Sequence, residues 1–191
     1  MRPLTFNKHK ALADVTLLFW LQGYEGTSVQ QILTCMGLNR SSLYSTFGDK
    51  RALFIQALDQ FSSLTGLACA PLTQLEDPKE AVRQFYNLVF FALTVEQRKN
   101  GCLLVNTILE QSGLDDDLAS IAANKLAVVS SAFKGCFETA QIKGNLNGES
   151  DVEALAAFFM TFTKGLRVEA REGRSEESMR QMIETALKIL D

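Results

Sequence analysis

The sequence holds one histidine, three prolines and one tryptophan, and its four cysteines (Cys35, Cys69, Cys102 and Cys136) stand 33 or 34 residues apart. A single histidine and the lack of any Cys-x-x-Cys pair leave nothing with zinc-ligand spacing, so no metal is expected. The segments around the cysteines (Leu-Thr-Cys-Met, Leu-Ala-Cys-Ala, Asn-Gly-Cys-Leu, Lys-Gly-Cys-Phe) do not resemble one another, so their spacing is not a repeat. There is no Gly-rich phosphate loop, nucleophile elbow or paired-carboxylate motif, and neither an enzyme nor a bound cofactor is expected. No run approaches the roughly 18 uncharged apolar residues of a membrane span. Arg2-Pro3 opens the chain without the apolar stretch of a signal peptide. A cytoplasmic protein with free thiols and no membrane partner is the expectation.

What is present is core material. Hydrophobic residues make up 47% of the 191 positions and charged residues 21% with both signs mixed, a composition that argues for a folded chain. The few prolines and twelve glycines permit long helices almost everywhere. The net charge of −3 is unevenly spread: residues 1–55 carry six Lys/Arg against three acids, and the remainder carries thirteen against nineteen. A basic head on an acidic body presents one end to a polyanion and repels it elsewhere.

Apolar residues recur at helical spacing throughout, and no segment alternates as a strand does. Ala11, Val15, Leu18 and Phe19 form one stripe of a first helix from about Asn7 to Gln22, closed by Gly23. Thr27 or Ser28 caps a second helix, Val29 to Met36, and Asn39 caps a short third, Arg40 to Thr46. Asp49 caps a fourth helix that runs to about Thr65. The stretch from Gly66 to Pro78 holds two prolines and reads as a boundary. A helix from Pro78 has the stripe Ala81, Phe85, Leu88, Val89, Ala92. Further helices are expected from Cys102 to Gly113, Asp115 to Ile142, Asp151 to about Glu172 and Ser175 to Leu190. The fold class is all-α, with about nine helices.

The segment Thr27 to Lys50 joins two short helices through Met36-Gly37-Leu38-Asn39. This is a helix-turn-helix pattern, whose second helix fits a major groove about 12 Å wide. Arg40, Ser41, Ser42, Tyr44 and Ser45 face outward on that second helix. Arg40 has the donor fork to bind guanine, and Tyr44 a hydroxyl to offer a phosphate. Thr27 and Ser28 lie at a helix N-terminus, which favours a phosphate oxygen, and Lys50 stands in the first turn of helix four. Periodicity alone leaves a plainer alternative open: three short helices forming a small core, with solvated polar residues.

Phe6-Asn7, Leu18-Phe19-Trp20, Gly23-Tyr24-Glu25-Gly26-Thr27-Ser28 and the run Met36 to Lys50, with its Leu43-Tyr44-x-x-Phe47-x-x-Lys50 pattern, closely resemble the opening of tetracycline-repressor (TetR) family regulators. The resemblance covers residues 6–60. It implies a three-helix DNA-binding head (1–48), a connecting helix four (49–66), and a body (67–191) that binds an effector and dimerises. The partners it implies are double-stranded DNA with a palindromic operator, an unidentified small-molecule effector, and a second copy of the chain bound through about 151–190. Carried over by position, Thr27, Ser28, Tyr44 and Lys50 are phosphate contacts, and Arg40, Ser41, Ser42 and Ser45 face the groove. Relatives with a basic arm carry more residues ahead of an Arg-Pro pair; only Arg2 and Pro3 stand here. Repression by operator binding, relieved by a small effector, is the family's usual mode.

The body is rich in phenylalanine. Phe85, Phe133 and Phe137 are read either as core packing or as the wall of an apolar effector pocket. Cys102 follows Asn100-Gly101 at a helix start, with Arg98 and Lys99 just upstream. Such a thiol is either a sensor of electrophiles or oxidants, or an inert buried side chain. Glu110 is a candidate pocket polar group, and Arg167 and Glu169 are candidate dimer-face or solvent charges.

Overall fold

Helix boundaries follow local hydrogen-bond chemistry. In a computed structural model, which describes residues 7–191, Asn7 accepts the Lys10 N–H (3.0 Å) and opens α1 (Lys8–Gln22). Gly23 ends α1 with φ 77 and ψ 178, a backbone conformation that a side chain would strain. Ser28 opens α2 (Val29–Met36) and Asn39 opens α3 (Arg40–Phe47). Asp49 accepts the Ala52 N–H (2.8 Å) at the start of α4 (Lys50–Ala68). Asp77 caps α6 (Pro78–Tyr86), Asp151 caps α10 (Val152–Arg171) and Ser175 caps α11 (Glu176–Leu187). Each such acceptor satisfies an N–H that the helix itself cannot, and stabilises by typically about 1 kcal/mol.

The nine expected helices are present, and two five-residue helices join them: α5 (Ala70–Gln74) and α7 (Val95–Lys99). The first lies in the stretch read as a boundary, where Pro71 occupies a first-turn position. The second opens on a Thr94/Gln97 capping box, between the helix from Pro78 and the one expected from Cys102. The helix from Pro78 also departs from the expected stripe. After Tyr86 it continues as a π turn, Asn87–Phe91. Its i→i+5 bonds hold one residue more per turn than an α-helix, so Leu88 and Ala92 face outward while Val89 and Phe90 are buried. The remaining helices are α8 (Leu103–Gln111) and α9 (Asp116–Ile142), and a 3-10 turn (Lys188–Leu190) closes the chain. There is no strand among the described residues.

The chain divides into two compact units. Among the described residues, one holds 7–62 together with Leu103–Lys125; the other holds Ser63–Cys102 together with Leu126–Asp191. The first unit therefore takes in α8 and the start of α9 as well as the N-terminal helices.

In the first unit, Val15, Phe19, Ile32, Leu43, Phe47, Leu53 and Phe54 are buried together. Phe19 meets Phe54 edge-on with ring centroids 4.7 Å apart, an arrangement that adds about 0.5–1.5 kcal/mol to area burial. In the second unit, Phe85, Phe133, Phe137 and Phe159 are all at most 1% exposed and pack ring against ring. Tyr86 joins them, its hydroxyl lying 3.2 Å from the Thr163 hydroxyl.

Candidate nucleic-acid interface

The turn between α2 and α3 is built by three residues. Gly37 takes φ 64 and ψ 33, the left-handed region. Its N–H donates to the Thr34 carbonyl (3.4 Å) and the Leu38 N–H donates to the Leu33 carbonyl (3.0 Å), the paired bonds of a Schellman ending. Asn39, the third residue after α2 ends, then accepts the Ser42 N–H (2.8 Å) and starts α3. Leu43 and Phe47 bury one face of α3. That leaves Arg40, Ser41, Tyr44 and Ser45 exposed on the other, with Ser42 half-buried. The far end of α3 is also held: Gln56 donates to the Phe47 carbonyl (3.1 Å) and Lys8 approaches the Thr46 carbonyl (3.5 Å).

Ser28 is exposed at the N-terminus of α2, where it forms a full capping box with Gln31. The Ser28 N–H donates to Gln31 Oε1 (2.8 Å), and the Gln31 N–H donates to Ser28 Oγ (3.2 Å). The Ser-x-x-Gln spacing makes that box readable in the sequence. Lys50 extends over the Tyr24 ring, 4.3 Å from its centroid.

Thr27 does not join these residues. It is fully buried, and its hydroxyl donates to the Gly23 carbonyl (2.7 Å), one turn back. Its role is to close the turn that precedes α2, and its side chain lies away from the surface where a phosphate contact was expected. Arg2 and Pro3 lie outside the described residues.

Two further contacts secure this unit and involve residues far apart in sequence. Glu110, near the end of α8, accepts the N–H groups of Tyr24 (3.0 Å) and Glu25 (2.9 Å). It anchors the turn after α1, in place of the pocket role considered for it. Arg51 in α4 donates from Nε to Asp115 (2.9 Å) and from a terminal nitrogen to Asp117 (2.6 Å). Asp115 also accepts the Leu118 N–H (2.9 Å) at the start of α9. The hydrogen bond from Arg51, reinforced by that backbone bond, holds the Asp115 carboxyl below its ordinary value.

In the second unit, Cys102 is buried and lies one residue ahead of α8 rather than in its first turn. The cations expected beside it are differently used. Arg98 pairs with Glu176 (3.0 Å), whereas the buried Arg167 guanidinium lies against the Phe90 ring (4.5 Å) and donates to the Gly101 carbonyl (3.4 Å). Burial pushes Arg167 below its ordinary value, and the neighbouring Cys102 counters that. Arg167 is thus a core residue, and neither a dimer-face nor a solvent charge; Glu169 pairs with Arg174 (2.5 Å). Phe85, Phe133 and Phe137 sit together in the buried ring cluster.

Two helices at a Schellman turn, the second offering a polar face beside a capped helix start, define a helix-turn-helix DNA-binding module. Residues 16–57 match the family described as "Bacterial regulatory proteins, tetR family", and residues 78–186 match "Tetracyclin repressor-like, C-terminal domain". The chain belongs to the TetR family of transcriptional regulators. It is 33% identical over 178 residues to the HTH-type transcriptional regulator YezE of Bacillus subtilis, with 91% of each chain covered. It is 27% identical to the HTH-type transcriptional repressor ComR of Escherichia coli, covering 98% of this chain and 90% of ComR. Among solved structures, a cysteine-substituted TetR-family regulator CifR, complexed with 26-bp double-strand operator DNA, matches with a TM-score of 0.83. The two are 26% identical, with 100% of both chains covered.

Proposed function

We propose that this chain represses transcription by binding a palindromic operator as a homodimer, and that a small effector releases it. The observation that carries the reading is the exposed face of α3, where Arg40, Ser41, Tyr44 and Ser45 stand clear of the core on a helix fixed at both ends. Arg40 reads a guanine, Ser41, Ser42 and Ser45 line the groove, and Tyr44, Ser28 and Lys50 hold phosphates. The operator-bound state of CifR supports this assignment of partner.

A second copy of the chain is the fitting occupant for the apolar side of α10 and α11. There Phe158, Phe162, Met182 and Ile189 line an open groove of about 470 Å³. Two heads in a dimer meet two half-sites roughly 34–36 Å apart. In functional terms 1–48 is the head, 49–66 the connecting helix and 67–191 the effector-binding and dimerisation body. The effector favours a body conformation that shifts α4 and spoils the spacing of the heads. A hundredfold loss of operator affinity takes only about 2.7 kcal/mol of coupling.

Cys102 is the point at which we place a thiol signal within this mechanism. The support is its position beside the buried Arg167 cation and directly ahead of α8. Oxidation or alkylation there adds bulk or charge to a packed site.

Fluorescence anisotropy on DNA from upstream of the protein's own gene, against a random duplex at two salt concentrations, tests the reading. Selective, salt-dependent binding is expected. Equal weak binding to both duplexes, and no sequence enriched from a random pool, would overturn it.

A further inference from the structure

The turn from Gly23 to Ser28 is closed on itself. Gly23 offers its carbonyl to the Thr27 hydroxyl, and the Thr27 N–H donates to the Tyr24 carbonyl (3.3 Å). The turn therefore moves as one piece; it carries one of the groups assigned to phosphates, Ser28, and touches a second, Lys50 of α4. Ser28 is its last residue, and the Tyr24 ring, packed on Phe54 (4.9 Å), lies under the Lys50 ammonium. What holds the piece from outside is Glu110, whose carboxylate takes two successive backbone N–H groups, one on each oxygen. Charge-assisted bonds of this kind are about twice as strong as neutral ones. The fit depends on Gly23: a Cβ there would lie 2.9 Å from Glu110 Oε1 and 3.0 Å from Oε2. Buried Gln111 adds a long contact from its amide to the Glu25 carboxylate (3.5 Å).

We infer that Glu110 is the positioning residue of the DNA-binding head: its grip on Tyr24 and Glu25 sets where Ser28 and Lys50 stand, and a shift of α8 reaches the DNA contacts through it. The inference rests on the regulator reading and deepens it. α8 is a nine-residue helix that begins at the residue after Cys102 and carries Glu110 near its far end. A helix of that length transmits a displacement of its start to its end, and the carboxylate passes it to the turn. The coupling is thus a defined pair of hydrogen bonds with an identifiable donor segment.

The test compares wild type with Glu110→Gln, Glu110→Ala, Lys50→Ala, the double variant Glu110→Ala/Lys50→Ala, and Ser112→Ala as a control on the same helix end. Amide hydrogen exchange at Tyr24 and Glu25, melting temperature, and the salt dependence of binding to the upstream and random duplexes are measured on the full-length protein. Exchange at those two amides is expected to rise at least about tenfold in Glu110→Ala and less in Glu110→Gln, with Ser112→Ala unchanged. DNA affinity falls about tenfold in Glu110→Ala on both duplexes, because the misplaced groups are phosphate contacts. The double variant loses less than the sum of the two single losses, since part of the Glu110 effect runs through Lys50 and the rest through Ser28. Unchanged exchange, faster exchange with unchanged DNA affinity, or losses that add in the double variant would each overturn the inference. Equal tightening in the Gln and Ala variants would reduce Glu110 to a local negative charge, and would overturn it too. Failure of wild-type protein to prefer the upstream duplex counts against the regulator reading instead, and the positioning role is still judged on the salt-dependent binding common to both duplexes. If wild type binds neither duplex, both readings fall.

Discussion

The Lys50 ammonium lies 4.3 Å from the centre of the Tyr24 ring. The ring turns a flexible, strongly hydrated side chain into a directed one, through an attraction of about 0.5–2 kcal/mol at a half-buried site. Lys50→Ala is expected to weaken binding to operator and random DNA by a similar factor. It should also reduce the slope of log affinity against log salt by about one per head. Tyr24→Leu, which keeps the charge and removes the ring, should produce part of that affinity loss. An unchanged salt slope in Lys50→Ala would remove Lys50 from the phosphate contacts.

Arg40 is exposed at the first position of α3, immediately after the Asn39 cap. Arg40→Ala should cost about 1–3 kcal/mol on the operator and relax preference at one base pair per half-site. Tyr44→Phe should instead weaken all sequences alike. Binding to a panel of single-base operator variants separates the two. Equal losses on operator and random DNA in Arg40→Ala would contradict base reading.

The Arg51–Asp115 contact makes stability depend on pH in a defined sense. Asp115 titrates lower in the folded chain than in the unfolded one, chiefly through its hydrogen bond from Arg51. Its contribution is therefore present above the unfolded value of about 4 and is lost as pH falls through the lower, folded value. Asp115→Asn, which keeps a capping oxygen, should lower the urea midpoint at pH 7. The difference between the two proteins should begin to shrink as pH falls below about 4 and vanish below the folded value. A difference that stayed constant down to pH 3 would assign the effect to something other than this carboxylate.

Burial pushes the thiols of Cys69 and Cys136 up to about 11 each. Both are expected to stay protonated and unreactive at pH 7.5 in the native protein. If Cys102 is the site of the thiol signal, release of operator by a small electrophile should vanish in Cys102→Ser. It should persist in Cys69→Ser and Cys136→Ser, and mass mapping of the modified protein should find the adduct on Cys102. Release that survives Cys102→Ser would end that assignment.

Phe158 is 38% exposed and stacks on Phe162, and Ile189 is 51% exposed on the same groove. Phe158→Asp combined with Ile189→Asp should convert a dimer to a monomer in sedimentation at micromolar concentration, and weaken operator binding more than random binding. A wild-type monomer under those conditions would refute dimerisation through this face.

Much of this protein is written locally. The caps at Asn7, Ser28, Asn39, Asp49, Asp77, Asp151 and Ser175 bond to N–H groups two or three residues on. Helix starts are therefore settled within a single turn of chain, and apolar spacing at 3.6 residues settles which faces are buried. The reading of Gly37 and Asn39 as a turn, and of Arg40, Tyr44 and Ser45 as an outward face, draws on nothing further away. Tertiary structure decided the rest, because the partner in each case is remote in sequence. Thr27 looks like an exposed cap until its neighbours bury it, and Arg167 looks like a surface charge until it is enclosed against Phe90 and Gly101. Glu110 is an unremarkable helix carboxylate in the sequence. Only folding brings it to the Tyr24 and Glu25 amides, where the missing side chain of Gly23 leaves it room.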